Sequence, residues 1–143
     1  MQVFERFQKT ERFQREGIGV FRIVVGFLFA THGAAALFGV LGTEQAGLFV
    51  WPSWWASLIQ AVGGALVMIG LGTRYAALLC SGSMAFAYFT VHQSGALLPV
   101  QNGGEKAALF CFAFLLIAVL GNGAWSVEQA ARTAPQQATA AAE

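Results

Sequence analysis

Four long apolar blocks, separated by short polar or glycine-containing segments, dominate the pattern of hydrophobic and polar positions along the chain. A helix needs about 20 residues, within a range of about 17–25, to cross the hydrocarbon core of a bilayer. Each block comes close to that length, so the pattern predicts four membrane-spanning helices. We place them at about residues 19–39, 54–72, 75–92 and 105–121.

The composition favours a membrane protein over a soluble domain. Hydrophobic residues make up 57% of the 143 positions and charged residues only 10%, and the mean hydropathy is +0.61. A soluble domain carries about 25% charged residues, and with so few charges a water-facing surface is hard to build. We therefore predict an all-α, integral membrane protein folded as an antiparallel four-helix bundle.

The basic residues are distributed unevenly between the segments that flank the four blocks. The loops at residues 40–53 and 93–104 contain no lysine or arginine. Basic flanks stay on the cytoplasmic side of a membrane, so both termini are expected to be cytoplasmic, in a bacterial plasma (inner) membrane. Lys106, at the outer end of the fourth helix, is the exception. The cytoplasmic basic residues are Arg6, Lys9, Arg12, Arg15, Arg22, Arg74 and Arg132.

The pattern divides the chain into a leader, a membrane core and a tail. Residues 1–18 are predicted to form a cytoplasmic juxtamembrane helix next to anionic lipid, and residues 19–128 form the four-helix domain. Residues 129–143 are rich in alanine and glutamine and contain a proline, which predicts a flexible cytoplasmic tail. Arg22, near the start of the first spanning helix, is expected to extend to the cytoplasmic surface.

Polar side chains recur in the outer half of the predicted bundle. At 1.5 Å per residue, His32 lies about 20 Å from the cytoplasmic end of its helix and Gln60 about 9 Å inside the outer end of the next. Tyr88 and His92 follow one stripe of the third helix, and Glu105 opens the fourth. Polar side chains at membrane depth are costly and indicate function. We therefore predict an outward-facing polar cavity formed by these five residues.

Each of these residues also has a purely structural interpretation, which stays open here. Asn102 and Glu105 have the spacing of a capping box, in which the first residue caps a helix and the second reaches back. His32 and Gln60 suit hydrogen bonds between helices, and Tyr88 suits an anchor at the membrane interface.

Several classes of site lack support in the sequence. Two histidines without a carboxylate or cysteine at ligand spacing are a poor basis for a metal site, and a haem held by both histidines is open but unsupported. The chain has no nucleophile–base constellation, no phosphate loop and no basic surface for nucleic acid. We expect no metal and no nucleic acid, and we expect the lipid bilayer as the principal partner.

Three stretches of the chain resemble the DoxX family of small four-helix membrane proteins. They are "RIVVGFLFATHG" at the first helix, "GGALVMIGLGTRYAALL" across the tight turn, and "PVQNGGEKAALFCFAFLLIAVLGNGAWSVE" to the end of the fourth helix. The positions that carry the resemblance are Arg22, Gly33, Gly63, Gly64, Arg74, Asn102, Gly103, Gly104, Glu105, Gly121 and Ser126.

The chain departs from the family pattern at two positions. The family often has glutamate where Gln60 stands, and because an amide cannot ionise, a proton-coupled role at that position is in doubt. The closing motif often ends in aspartate, where this chain has Glu128.

The resemblance implies a link to membrane redox systems. Some relatives form part of thiosulfate:quinone oxidoreductases, and others act with oxidative-stress enzymes at the membrane. On this basis the first hypothesis is a redox-associated membrane subunit that interacts with quinone or another small molecule in the outer-half cavity, with quinone as the candidate cofactor. His32 and Gln60 would hydrogen-bond a quinone carbonyl, and Tyr88, His92 and Glu105 would form a proton path to the outside.

A second hypothesis is a non-catalytic scaffold that recruits or stabilises a redox or stress-defence enzyme through the basic leader. The chain has no recognisable electron carrier of its own, so the first hypothesis requires a partner redox protein or a bound quinone. The second requires a membrane or cytoplasmic redox protein as partner. A transporter or channel is a third class. Four short helices make a poor alternating-access machine unless the protein forms a homo-oligomer.

Overall fold

The computed structural model describes the backbone of residues 2–140 and the side chains of residues 8–133, and all regular structure within these ranges is helical. The prediction of an all-α fold is confirmed. Along the chain, helical elements alternate with tight turns and two longer loops. The elements are α1 (Gln2–Phe38), α2 (Ser53–Ile69), α3 (Thr73–Ala87), a π-helical segment that we call the π-turn (Tyr88–His92), α4 (Pro99–Asn102), α5 (Glu105–Leu120) and α6 (Val127–Ala140).

Helix α1 is much longer than the first predicted span. Its 37 residues include the leader, which continues into the apolar block without a break. The part from Gln8 to Phe38 is the one helix among the described residues that is long and apolar enough, by length and composition, to cross a membrane. The apolar helix α2 is shorter, with 17 residues, or about 26 Å of length.

The long helices pack in a closed arrangement. Helix α1 lies against α2, α2 against α3 and α3 against α5, while α1 also contacts α5. Phe29 of α1 joins this last contact, because its ring centroid lies 5.1 Å from that of Phe110 and 4.6 Å from that of Phe114. Around them a buried apolar core includes Val67 and Cys80.

Glycines let the backbones of α1 and α2 touch. A Cβ atom on Gly26 would lie 2.6 Å from the backbone nitrogen of Met68, and one on Gly64 would lie 2.6 Å from that of Ala30. Both separations are shorter than a real Cβ contact, so only glycine fits at either position. Close backbone approach of this kind is the usual basis of helix association in lipid.

A tight turn of three residues joins α2 to α3. Gly70 ends α2 in the left-handed conformation (φ 78°, ψ 43°), and its N–H donates to the carbonyls of Leu66 and Val67. Gly72 is also left-handed (φ 59°) and precedes α3. Positive φ favours glycine at both positions, and the turn makes the two helices antiparallel neighbours.

The C-terminal segment differs from the sequence-based expectation. Residues 129–143 were predicted to be flexible, but α6 continues as a helix through Ala140. Ser126 begins this helix, since its side-chain oxygen accepts the N–H of Gln129 at 3.2 Å, as an N-cap residue does. Residues 141–143 lie outside the described part of the chain.

Candidate functional site

The bundle has two ends with different polar structure. The turn end consists of the α2–α3 turn at residues 70–72, the segment 121–126 between α5 and α6, and the part of α1 around residues 15–22. The loop end consists of the two long loops at residues 39–52 and 93–104 together with the π-turn. The five residues predicted to form a site all lie in the half of the bundle nearer the loop end.

A polar cluster at the loop end contains Tyr88, His92 and Asn102, which we call the loop-end cluster. His92 Nδ1 lies 3.2 Å from the carbonyl oxygen of Asn102. The amide nitrogen of Asn102 donates to the carbonyl of Ala96 at 3.0 Å and, at the longer distance of 3.5 Å, to the hydroxyl of Tyr88. The structure therefore brings together two of the five predicted residues.

The π-turn is what positions Tyr88 and His92. In this segment the N–H of Gln93 donates to the carbonyl of Tyr88 at 2.9 Å, which is the five-residue spacing of a π-helix rather than the four-residue spacing of an α-helix. The wider turn changes the direction of His92 relative to a regular helix. Single π-helical turns occur frequently at functional sites.

Asn102 does not cap α5, so the capping-box prediction is wrong. Gly103 ends the short helix α4 in the left-handed conformation (φ 69°), and Gly104 is the N-cap of α5, without a side-chain capping bond. Asn102 instead closes a turn over the two glycines, because its side-chain oxygen accepts the N–H of Gly104 at 2.8 Å. Glu105 is the exposed first residue of α5, where its charge suits the helix dipole.

The remaining predicted residues are not joined to the loop-end cluster by any hydrogen bond in the described part of the chain. His32 is exposed on α1, one residue before the buried Gly33 that packs on α2. Gln60 is half-buried on α2, and its side-chain oxygen is enclosed without a hydrogen-bond partner. An enclosed, unpaired amide oxygen is costly, so this position has spare hydrogen-bonding capacity.

The turn end is organised by Arg22, which is 0% exposed. The expectation that this side chain extends to the surface is wrong, because it points inward between α2 and the segment after α5. Its Nη1 donates to the carbonyls of Val67 and Met68, the first at 2.7 Å. Its Nε and Nη2 donate to three further carbonyls, those of Asn122 (2.8 Å), Ala124 (3.2 Å) and Trp125 (2.9 Å).

These bonds use all five N–H donors of the guanidinium group, and we call the arrangement the Arg22 clamp. No carboxylate among the described residues contacts Arg22. Its charge is balanced instead by carbonyl dipoles, including the last carbonyls of α2, where the helix dipole is negative. With every donor satisfied, Arg22 has no free hydrogen for a ligand, and we assign it a structural role.

At the turn end, two more side chains hydrogen-bond backbone groups at the termini of helices. Arg74 donates from Nη1 to the carbonyls of Ala118 and Val119, at 3.0 and 3.1 Å, near the end of α5. The carboxylate of Glu128 accepts the N–H of Gly72 at 2.6 Å and the side-chain N–H of Asn122 at 2.6 Å. The hydrogen bonds from Asn122 and Gly72 lower the pKa of the Glu128 carboxyl from its ordinary value.

The motif positions recognised in the sequence cover most of the turn end, but they do not include Thr73 or Asn122. Asn122 stands between Gly121 and Gly123, and a polar residue between two glycines after an apolar helix was the available signal. Gly123 needs its positive φ (61°) to turn the chain toward α1, where the N–H of Ala124 donates to the carbonyl of Arg15 at 2.8 Å.

A metal centre finds no support in the geometry. Among the described residues, no group of three or more histidine, cysteine, aspartate or glutamate side chains is arranged to hold a metal ion.

Cys80 and Cys111 are free thiols, and the hydroxyl of Ser81 makes a hydrogen bond of 2.9 Å to the carbonyl of Cys111.

Curated relatives of this chain come from several bacteria. The chain is 36% identical, over 82% of its length and 92% of the relative, to a protein of Haemophilus influenzae named only as uncharacterized. It is 30% identical to "Inner membrane protein YqjF" of Escherichia coli, over 79% of this chain and 90% of that one. It is 35% identical to "Putative oxidoreductase CatD" of Bacillus subtilis, over 74% and 80% of the two chains.

The names of the second and third relatives point to the bacterial inner membrane and to oxidoreduction. No solved structure matches the chain significantly. The family model described as DoxX matches residues 17–93, which is more than half of the sequence. This match covers the apolar part of α1, helices α2 and α3, and the π-turn. The protein is therefore a membrane protein that belongs to the DoxX family.

Proposed function

We propose that the protein crosses the bacterial inner membrane four times, through α1, α2, α3 with its π-turn, and α5. Large apolar side chains are exposed on every one of these helices, which is a surface suited to lipid and not to water. One example from each helix is Phe27 (52% exposed), Val62 (52%), Leu79 (57%) and Phe112 (70%). The basic residues gather at the turn end, which supports a cytoplasmic location for both termini.

Within this membrane protein we propose a redox-associated role in which the loop end binds the head group of a quinone in its reduced, quinol form. The observation that carries the proposal is the contact between His92 and Asn102. The partner of His92 Nδ1 is a carbonyl oxygen, which only accepts, so Nδ1 carries the hydrogen. In the neutral ring Nε2 then has the free lone pair, and it can accept a hydrogen bond or a proton from a quinol hydroxyl.

Two other groups have hydrogen-bonding capacity suited to the same ligand. The hydroxyl of Tyr88 makes only long bonds of 3.5 Å, to Asn102 and to the carbonyl of Leu97. The side-chain oxygen of Gln60 has no partner. In this proposal His32 and Glu105 keep the roles expected from the sequence, as a second hydrogen-bond partner for the quinone and as the outer end of a proton path. Electrons would pass between the quinone and a partner redox protein.

The test is the quinone content of protein purified in mild detergent, measured by mass spectrometry of the extracted lipids. We expect about one quinone per chain in the wild type and little in His92→Leu. Thr90→Val is the matched control, because Thr90 lies on the same π-turn but its hydroxyl bonds only the carbonyl of Phe86 at 2.7 Å. Equal quinone in all three proteins, or none in the wild type, would reject the site.

A second candidate function, a scaffold for a redox or stress-defence enzyme, is favoured by one observation about α1. Residues 8–15 are exposed, and Phe13 is 71% exposed although it is a large apolar side chain. Deletion of residues 2–13 removes most of this surface, including Phe13, and leaves the contact between Arg15 and Ala124. If the protein is a scaffold, a redox enzyme that co-purifies with the wild type will be lost from this variant while membrane insertion stays intact.

A further inference from the structure

A cavity of about 430 Å³ opens at the turn end, between the start of α3 and the segment that ends α5. It is separated from the loop-end cluster by the length of α3, whose 15 residues span about 22 Å. It therefore belongs to neither the proposed quinone site nor the exposed leader. The side chains that matter in its lining are those of Thr73, Arg74, Glu128 and Arg132.

Thr73 is the strongest indication that the cavity takes a ligand. Its side chain is 1% exposed, and its hydroxyl oxygen has no hydrogen-bond partner among the described residues. A buried hydroxyl without a partner costs free energy, and in native structures nearly all such groups are paired. Thr73 lines the cavity, so a ligand oxygen that reaches this hydroxyl would supply the missing partner.

The start of α3 adds donors beside this hydroxyl. The first N–H groups of a helix have no partner within the helix, and the helix dipole makes this end positive. Glu128 satisfies the N–H of Gly72 only. The N–H groups that follow, from Thr73 onward, are left to bind an acceptor, and an anion is the acceptor that such a helix end favours.

Charged side chains in the lining favour an anion as well. Arg74 uses Nη1 for the carbonyls of α5, while its Nε and Nη2 have no hydrogen bond in the described part of the chain. Arg132 is exposed and makes no described hydrogen bond. The one carboxylate, Glu128, already has both oxygens bonded. Arg15 lines an adjoining cavity of about 190 Å³ that also includes Arg132.

We infer that this cavity binds a phosphate group. The hydroxyl of Thr73 and the first N–H groups of α3 would hydrogen-bond its oxygens, and Arg74 and Arg132 would balance its charge. Two sources share this chemistry: the head group of an anionic phospholipid and free inorganic phosphate. The lipid source rests on the proposed membrane placement, because the turn end then lies at the cytoplasmic surface of the bilayer. The phosphate chemistry and the quinone site are independent of each other.

The experiment uses the full-length protein, purified and delipidated in a non-ionic detergent. Binding of phosphatidylglycerol is measured by native mass spectrometry, with phosphatidylcholine as the neutral comparison, and binding of inorganic phosphate by titration calorimetry. The variants are Thr73→Val, which removes the hydroxyl at nearly constant shape, and Arg132→Gln, which removes an exposed charge. Lys106→Gln is the matched control, since it removes the same charge from the loop end.

We expect phosphatidylglycerol to bind the wild type more tightly than phosphatidylcholine does. Arg132→Gln should weaken that binding about fivefold, the usual effect of one basic residue at an anionic surface. Thr73→Val should weaken it about tenfold, as expected when a hydrogen bond to a charged group is lost. Lys106→Gln should leave it unchanged. Arg132 lies on the surface, so its variant remains informative if Thr73→Val fails to fold.

The two sources give different results. Binding of phosphatidylglycerol without saturable binding of inorganic phosphate identifies a lipid head group, while saturable phosphate binding that the same substitutions weaken identifies free phosphate. Either result supports the site. Absence of both ligands from the wild type, or phosphatidylglycerol binding that is equal in the wild type and all three variants, overturns it. Quinone content is measured on the same samples, so that failure of one proposal is distinguished from failure of the other.

Discussion

The turn end and the loop end of this bundle differ in how their polar groups are hydrogen-bonded. At the turn end, Arg22 and Arg74 donate to the last carbonyls of α2 and α5, and Glu128 accepts from the start of α3. At the loop end, α5 begins without a side-chain cap and the Tyr88 hydroxyl makes only long bonds. In the adjoining half of α2, the Gln60 oxygen has no partner. Polar groups that are hydrogen-bonded within the protein stabilise the fold, whereas unpaired donors and acceptors are available to a ligand.

This comparison separates stability from binding. The Arg22 clamp has no unused donor, and breaking it should damage the fold without a specific effect on a ligand. The loop-end groups contribute less to the fold, and changing them should alter quinone content more than stability. The unpaired side-chain oxygens of Thr73, Asn122 and Gln129 show that spare capacity is not confined to the loop end, but none of these oxygens takes part in the Arg22 clamp.

The largest effect is expected from Arg22→Met, which keeps a long side chain and removes all five donors. Five carbonyls then lose a hydrogen bond, although that of Val67 keeps the N–H of Gly70. We expect the protein to lose about 3–5 kcal/mol of stability, because each buried carbonyl left without a donor costs about 1–3 kcal/mol. Thermal unfolding in detergent, followed by circular dichroism, measures the loss. Arg12→Met is the control on the same helix, because Arg12 is exposed and bonds only Glu16. Equal midpoints for Arg22→Met and the wild type would refute the clamp.

A smaller effect is expected from Glu128→Gln, about 1–2 kcal/mol, because charge-assisted hydrogen bonds become neutral ones. The pKa of Glu128 is lowered in the folded protein. The stability that this carboxylate contributes is therefore present above its unfolded pKa and is lost as the pH falls through the folded pKa. Unfolding midpoints measured across the acidic range should fall more steeply in the wild type than in Glu128→Gln. Parallel curves would contradict this assignment.

At the loop end, Asn102→Ala should cost about 1 kcal/mol, since it removes the bonds to Gly104 and Ala96. Its effect on function should be larger, because the segment that supplies the carbonyl for His92 loses its anchor. We expect quinone content to fall several-fold while the unfolding midpoint changes little. If the unfolding midpoint falls as strongly as the quinone content, the two ends do not differ in role.

The smallest change in stability is expected from Gln60→Met, which has nearly the same shape. The unpaired amide oxygen disappears, so stability should stay within about 0.5 kcal/mol of the wild type or rise. Quinone content should fall if this amide contacts the ligand. A variant that is clearly less stable would show that Gln60 has a structural partner and would remove it from the proposed site.

Local patterns predicted the positions of the helices well. The second helix was placed at residues 54–72 and is found at Ser53–Ile69, where Gly70 ends it. The fourth was placed at 105–121 and is found at Glu105–Leu120. Runs of apolar residues and the glycines between them are contained in the sequence itself, so these boundaries need no knowledge of the tertiary structure.

Features that depend on distant segments were predicted less well. The direction of Arg22 is set by carbonyls 45 to 103 residues further along the chain, which the local sequence does not reveal. Asn102 looked like a helix cap, but the left-handed Gly103 moves the cap to Gly104. The π-turn has no sequence signal that we recognise. His32 is exposed on α1 whereas the next residue, Gly33, packs on α2, because a rotation of about 100° between neighbours separates an exposed from a packed position on a helix.

The Arg22 clamp also has a consequence for biosynthesis. Arg22 emerges early from the ribosome, but three of the five carbonyls that it needs belong to residues 122–125. Until that segment is synthesised, the guanidinium group of Arg22 lacks three of its five acceptors, and the helices cannot reach their final packing. Completion of the bundle is thus coupled to synthesis of its last quarter, and a chain cut short before residue 121 should be an unfinished membrane protein that quality-control proteases degrade.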